Sequence, residues 1–259
     1  MRDSEKRRRL SAWLQGDGIE IGALHNPLPL PPGARVRYVD HLPEAELRKH
    51  YPELDGQPFA PVSIIGSAQD LSTVGDASVD FVIANHLLEH LEDPVAGLKE
   101  FQRVLRPDGV LYLALPDKRR TFDRDRELTP VRHLIDEHRH GAEANRRQHY
   151  LDWATRVDKK DDTHAAGLLE TGYSIHFHVW RGDTFLDFLV AARKEFDLDF
   201  EVVQFAGLET PDDDEFIVVV VKGRTDRVPL PSGNGQVQFA KPPAPAGLVS
   251  RARARLARR

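Results

Sequence analysis

The sequence of 259 residues contains no cysteine, which excludes disulfides, thiolate metal sites and a cysteine nucleophile. Any metal would have to be held by histidine and carboxylate ligands. Long apolar runs are lacking as well; the longest, 216 to 221, is too short to span a bilayer. Behind Arg7, Arg8 and Arg9 stand only Leu10, Ala12, Trp13 and Leu14 before polar residues return, so no secretory segment is read there and a cytoplasmic protein is expected. Also missing is the glycine series of a dinucleotide-binding loop. The stretch "GIEIGALHNPLPLPPG", 18 to 33, opens like one, with Ile19 and Ile21 around Glu20 leading into Gly22. It then places Ala23, Leu24, His25, Asn26 and Pro27 where further glycines would be needed to make room for a pyrophosphate. Pro27, Pro29, Pro31 and Pro32 make a full helix in this crossover untenable, because proline removes a donor and clashes with the preceding turn.

No general excess of positive charge is present. The net charge of -5 argues against a nucleic-acid partner held by a basic field. Only the ends are basic: "RARARLARR" closes the chain after a Pro-rich stretch, and 225–259 reads as a solvated tail on a flexible linker. Weak peripheral contact of that tail with an anionic membrane surface is the alternative reading. Residues 1–16 are read as a basic N-terminal helix with Leu10, Trp13 and Leu14 on one side, covering an edge of the domain formed by 17–224.

Within that domain, apolar segments at 18–22, 35–39, 61–65, 79–84 and 109–115 alternate with helical ones, and several are continuous enough to be buried on both faces. This is the pattern of an α/β fold with a parallel sheet. A helix over 93–105 presents Val95, Leu98, Phe101 and Leu105 on one stripe, with Asp93 as cap and Pro94 in the first turn. A second helix spans 184–196. The segments 199–207 and 214–223 follow as strands, and their short connection makes them antiparallel.

With "GIEIG" at the first strand, Asp40 ending the second and "VDFVIANHLLEHLEDPVAGLKEFQRVLRPDGVLYLALPD" at 79–117, the chain resembles the class I S-adenosylmethionine-dependent methyltransferases, and within them the type 11 group. The resemblance covers 18–117 and, by topology only, the terminal hairpin. It implies a Rossmann-like, mostly parallel seven-stranded sheet ending in an antiparallel hairpin, with a helical insert after strand five at 117–183. It also implies S-adenosylmethionine as cofactor and S-adenosylhomocysteine as product. The implied cofactor residues are Glu20, Gly22 and Ala23 toward the amino acid end, Asp40 on the ribose hydroxyls, Asp70 near the adenine, and Asn85 and His86 on the sulfonium side. A sulfonium cofactor has no pyrophosphate, so an anion cradle of glycines is less necessary, and the first turn reads as a remodelled site.

Seven of the twelve histidines fall in the insert. His133, Glu137 and His140 share one helix face if 130–140 is helical, which suits either a solvated face or a metal or acceptor site. The spacing matches no zinc-peptidase pattern, and no metal is predicted, although a divalent ion is compatible. His176 and His178 alternate along an extended segment and are taken as a pair, the first choice for a catalytic base; His133, His90 and Asp117 are further candidates. Arg119, Arg120, Arg124, Arg126, Arg146 and Arg147, with Tyr150, Trp153, Tyr173 and Trp180, suit a polar or anionic small acceptor on an aromatic platform. Sequences with "EIGALHNPLPLP" and "IHFHVW" resemble methyltransferases of glycan settings, so O-methylation of a sugar hydroxyl is the expected reaction. The competing readings are a binding or regulatory protein that keeps the fold, and a nicotinamide-dependent oxidoreductase.

Overall fold

The computed structural model describes residues 5–223. The Arg-rich tail and linker expected over 225–259 lie outside the described residues. Seven strands form one sheet: β1 (Asp17–Ile21), β2 (Arg35–Asp40), β3 (Val62–Ile65), β4 (Val79–Asn85), β5 (Leu105–Pro116), β6 (Phe200–Ala206) and β7 (Glu215–Lys222). Their order is β3-β2-β1-β4-β5-β7-β6. The first five are parallel, and β7 runs antiparallel between β5 and β6. A seven-stranded sheet ending in an antiparallel hairpin is the arrangement the sequence implied. The order reverses at β1/β4, which places a ligand crevice outside the carboxyl ends of those strands.

The central strands are buried on both faces, and β7 states the pattern most plainly. Phe216, Val218 and Val220 join one apolar layer with Val82, Leu111 and Leu113, against α3 (Pro94–Val104) and α7 (Gly182–Phe196). Ile217, Val219 and Val221 join Phe81, Ile83 and Tyr112 in the other. The chain covers this second layer with Leu10, Trp13, Leu14 and Leu28. The crossover from β1 to β2 contains no helix, so Leu28 and Leu30 of the Pro-rich segment lie where a helix would pack. Gly18 admits the Phe81 ring, since a Cβ there would lie 2.2 Å from it.

Helix α3 begins where the capping signal placed it, with the Asp93 side chain accepting from the Ala96 N–H at 2.9 Å. The "RPDG" turn after it is a bulge within β5, where the pairing with β4 shifts between Val79 and Phe81. Helix α1 (Glu5–Ser11) is shorter than expected, and its basic residues are not simply a solvated side. Lys6 and Arg7 are buried: Lys6 Nζ donates to the Glu215 carbonyl at 2.7 Å and to Asp213 at 3.1 Å, and Arg7 donates two bonds to the Glu215 carboxylate at 2.8 and 2.6 Å. The helix is therefore bolted to the start of β7 by charge as well as by Leu10. No helix among the described residues is long and apolar enough to cross a membrane.

The insert carries α4 (Val131–His140), α5 (Arg146–Arg156) and α6 (Asp162–Thr171), while α2 (Glu44–His50) lies between β2 and β3. Removing one partner of a buried ion pair leaves an uncompensated charge. Arg7→Ala is expected to lower stability by about 3 to 5 kcal/mol, read from denaturant unfolding; a loss below about 1 kcal/mol, the scale of a surface pair, would show that the Arg7 pair does not anchor α1.

Candidate active site

The carboxyl ends of β1, β2 and β4 meet around the turn 22–28. Gly22 adopts φ +69°, and a Cβ there would have only Leu87 nearby, at 3.5 Å. Gly22 is thus required by the backbone conformation and not by crowding. Two residues on, Leu24 also adopts a left-handed conformation, φ +47°, in the stretch where the family's further glycines are absent. Its carbonyl accepts from the Ala60 N–H, which ties the turn to the segment before β3.

Glu20 is fully buried. Both its oxygens accept from the Leu28 N–H, at 3.0 and 3.1 Å, and the Asn85 amide donates to it at 3.3 Å. Burial pushes its carboxyl up to about 7, against the lowering effect of the Leu28 bond and of Arg7. Asp40, also buried, ends β2; its Oδ1 accepts from the His41 N–H and contacts the His41 ring, both at 2.8 Å. The Asp70 carboxylate is exposed and accepts from the Ser72 N–H at 3.0 Å, so it closes a local turn. At the end of β4, His86 adopts φ +50° and is held at 2.7 Å from Glu215. Burial works against the Glu215 charge, but His86 and Arg7 outweigh it and hold the carboxyl below the ordinary range.

The insert sorts its histidines into two groups. In the first, His176 Nδ1 lies 2.7 Å from Asp123, and Asp123 is also held by Arg126 at 2.9 Å. His90 packs edge-on to His176 with ring centroids 4.7 Å apart, and its Nδ1 bonds the Ile175 carbonyl at 2.9 Å. Burial, reinforced by His176, pushes His90 down to about 3, so it is neutral. Phe122, 53% exposed, lies over His176 at 4.8 Å and beside Trp153.

In the second group, His133 and Glu137 of α4 meet His149 of α5 and His178 of the segment before α7. His133 Nε2 and His149 Nε2 stand 3.0 and 2.8 Å from Glu137 Oε1, and His178 Nε2 stands 3.7 Å from Oε2. Burial pushes His178 down to about 3 and works against the Glu137 charge as well, but His133 and His149 outweigh it there and keep that carboxyl low.

Several expectations change with this placement. His176 and His178 are not brought together, because each joins a different group. His140 is exposed and bonds the Asp136 carbonyl, leaving the group its helix spacing proposed. Asp117 does end β5, but its carboxylate is taken by the Arg119 N–H and guanidinium at 2.7 to 3.0 Å. Trp180 is core, packed on Phe185 and Phe188, and Tyr150 and Trp153 are buried, so of the four expected rings Tyr173 is exposed, and Phe122 of the insert is exposed with it. Sequence reasoning missed Asp123, whose only signal was its place in "DKRRTFD", and His149, whose neighbours lie 16 residues before it and 29 after.

The donor set at the strand ends fits the cofactor that the fold implies. The Asn26 and Asn85 side-chain oxygens are buried and have no hydrogen-bond partner among the described residues. With Glu20 beside Asn85, they suit a ligand that brings the N–H donors of an ammonium group. Asp40 provides a buried carboxylate for vicinal hydroxyls at the tip of the adjacent strand.

Because the Glu20 carboxyl is raised toward 7 in the folded state, it binds its proton more tightly there than when unfolded. Its contribution therefore favours folding as pH falls from about 7 toward 4.5, with a slope approaching about 1.4 kcal/mol per pH unit. In Glu20→Gln, which keeps an acceptor for Leu28, this part of the profile should disappear and the gain over the parent should be largest at pH 8. Equal pH profiles for the two proteins in chemical denaturation would refute it.

Residues 18–113 match the methyltransferase-domain family. The human thiol S-methyltransferase TMT1B is 34% identical over 87 residues, 32% of this chain and 34% of the relative. The chain thus aligns with about a third of the length of that curated relative. Among solved structures, a methyltransferase from Aquifex aeolicus superposes with a TM-score of 0.46 at 15% identity, over 85% of this chain and 89% of the other. One from Methanosarcina mazei gives 0.43 at 22%, over 81% and 93%. The family match thus runs from the first strand into the fifth, over the part of the sheet whose carboxyl ends form the site, and residues 18–113 are those of a methyltransferase domain.

Proposed function

We propose that this protein methylates a hydroxyl oxygen of a small polar acceptor, a sugar above all, using S-adenosylmethionine. The observation that carries the reading is the His176–Asp123 contact of 2.7 Å. A hydroxyl is a poor nucleophile unless a base removes its proton as the bond to carbon forms. With Nδ1–H donated to a buried carboxylate, imidazole presents Nε2 as that base, and the carboxylate stabilises the charge that forms. Asp123 is a positioning residue, fixed in turn by Arg126. Arg126 also donates to Asp152 and to the His176 carbonyl, so the base is held from both its ring and its backbone.

The cofactor, when bound, supplies an electrophilic methyl group. The chain's part is to hold the cofactor and to orient the acceptor in line with that methyl. Asp40 accepts from the ribose hydroxyls, and Asn26, Asn85 and Glu20 receive the ammonium group. The exposed Phe122 ring beside His176 offers an apolar face for a sugar ring, and the exposed Arg119, Arg120 and Arg124 give polar contacts around it. The same geometry serves an anionic sugar derivative, because guanidinium groups pair well with carboxylate and phosphate.

Two measurements test this. Calorimetric titration should show binding of S-adenosylmethionine and S-adenosylhomocysteine and none of NAD. Asp40→Ala should weaken that binding by roughly 1.5 to 3 kcal/mol, the worth of a hydrogen bond to a charged group, and unchanged affinity would remove Asp40 from the site. Turnover on a panel of sugars and of thiols, the latter for the chemistry in the human relative's name, should favour a sugar. His176→Gln and Asp123→Asn should lower kcat by about a hundredfold or more while cofactor affinity stays put. Parent-like turnover in both variants, or activity confined to thiols, would overturn the assignment.

A further inference from the structure

The second histidine group has no place in the methyl-transfer scheme, and its geometry is unusual for a hydrogen-bond network. Three nitrogens, from His133, His149 and the Asn145 amide, crowd one oxygen of Glu137 at 2.8 to 3.1 Å. The other oxygen, fully buried, has no hydrogen-bond partner among the described residues. The Glu137 and His178 side chains are both at 0% exposure, and His133 Nε2 and His149 Nε2 lie only 3.4 Å apart. Buried polar groups are normally satisfied, and among the described residues no lysine or arginine bonds the Glu137 carboxylate; three histidines and an asparagine surround it.

One potential ligand atom from each of His133, Glu137, His149 and His178 lies within 4.8 Å of all the others. Tetrahedral ligands at zinc distances stand about 3.3 Å apart; His149 and His133 Nε2 lie 2.8 and 3.0 Å from Glu137 Oε1, they lie 3.4 Å from each other, and His178 Nε2 lies 3.7 Å from the second oxygen, Oε2. Three imidazoles and one carboxylate, in a chain without cysteine, form a nitrogen-rich set suited to zinc and its first-row neighbours. The Asn145 amide on Glu137 is the kind of outer contact that fixes a ligating carboxylate.

We propose that His133, Glu137, His149 and His178 form a binding site for one divalent transition-metal ion, zinc in the first place. Four protein ligands leave no open position, so the ion is structural. Its ligands come from α4, α5 and the segment before α7; α5 and that segment share a small apolar cluster of Tyr150, Trp153, Ile175 and Phe177, whereas α4 packs through Leu134 into the main core. The ion fastens them together and so fixes the backbone that carries His176, two residues before a ligand. In the metal-bound form His178 Nε2 presents a lone pair, and its present contact of 3.2 Å with the Glu92 carbonyl is given up.

The full chain, purified without a polyhistidine tag and stripped with chelator, is titrated with cobalt(II) and with zinc(II), without cofactor or acceptor. The visible absorption of cobalt should reach a plateau at about one equivalent with the intensity of four-coordinate cobalt, zinc should displace it, and the melting temperature should rise with either ion. His133→Ala, at a partly exposed ligand, and His149→Gln should each weaken cobalt binding by about tenfold or more, whereas His140→Ala, on the same helix outside the group, should bind like the parent. Absence of cobalt absorption in the folded parent, or equal binding by all three variants, would overturn the site and leave a hydrogen-bonded cluster. Because the assay needs no methyl transfer, its outcome is independent of the acceptor reading.

Discussion

Glu20 lies wholly inside the protein, with both carboxylate oxygens on the Leu28 N–H. That contact pulls the Pro-rich crossover down over the sheet. A helix in this place would have satisfied its own backbone and covered the second apolar layer with one face. Four prolines rule the helix out, so a strand residue holds the crossover and Leu28 supplies the cover. The turn that faces the ligand crevice inherits its path from this tether, because only five residues separate Gly22 from Leu28. Burial raises the Glu20 carboxyl toward neutrality, so the tether is coupled to whatever charge arrives beside it.

The same economy appears around Glu215. Its carboxylate takes Arg7 from the N-terminal helix and His86 from the end of β4, joining three distant pieces of chain at one point. An ion pair in this position is expensive to desolvate, and its worth lies in fixing one arrangement over others. Lys6 adds bonds to the Gly207 carbonyl, Asp213 and the Glu215 carbonyl. The N-terminal helix is thus tied, through Glu215, to His86 at the end of β4, although it is the first described element and the pairing sits on the last strand.

Beyond the sheet, polar groups organise the insert. Helices α5 and α6 share a small apolar core while α4 packs on the main one, and two buried polar clusters lie side by side among them. His176, Asp123 and Arg126 define one, and Glu137 with three histidines defines the other. The two meet along one extended segment, where His176 and His178 are separated by a single residue, Phe177, whose ring packs on Tyr150. The proposed base and the proposed metal ligands thus share a support without sharing side chains.

Periodicity and punctuation carried most of the fold. Continuous apolar runs marked the buried strands, Asp93 and Pro94 marked the start of α3, the prolines ruled out a crossover helix, and a short polar link required the hairpin to be antiparallel. These signals are local, since each depends on residues within about one turn or one strand of each other. The Gly22 turn, Asp40 at the tip of β2 and Asn85 at the end of β4 were legible for the same reason, being fixed by position along a strand. What only the tertiary structure decided was the partner of each buried charge. In the sequence Lys6 and Arg7 were only part of a basic helix, and Glu215 of β7 gave them their partner; His176 and His178 looked like a pair until Asp123 and Glu137 drew them into separate groups. A charged or imidazole side chain carries no mark of its partner in the sequence, because that partner is chosen by whichever chain segment the fold brings within hydrogen-bond reach.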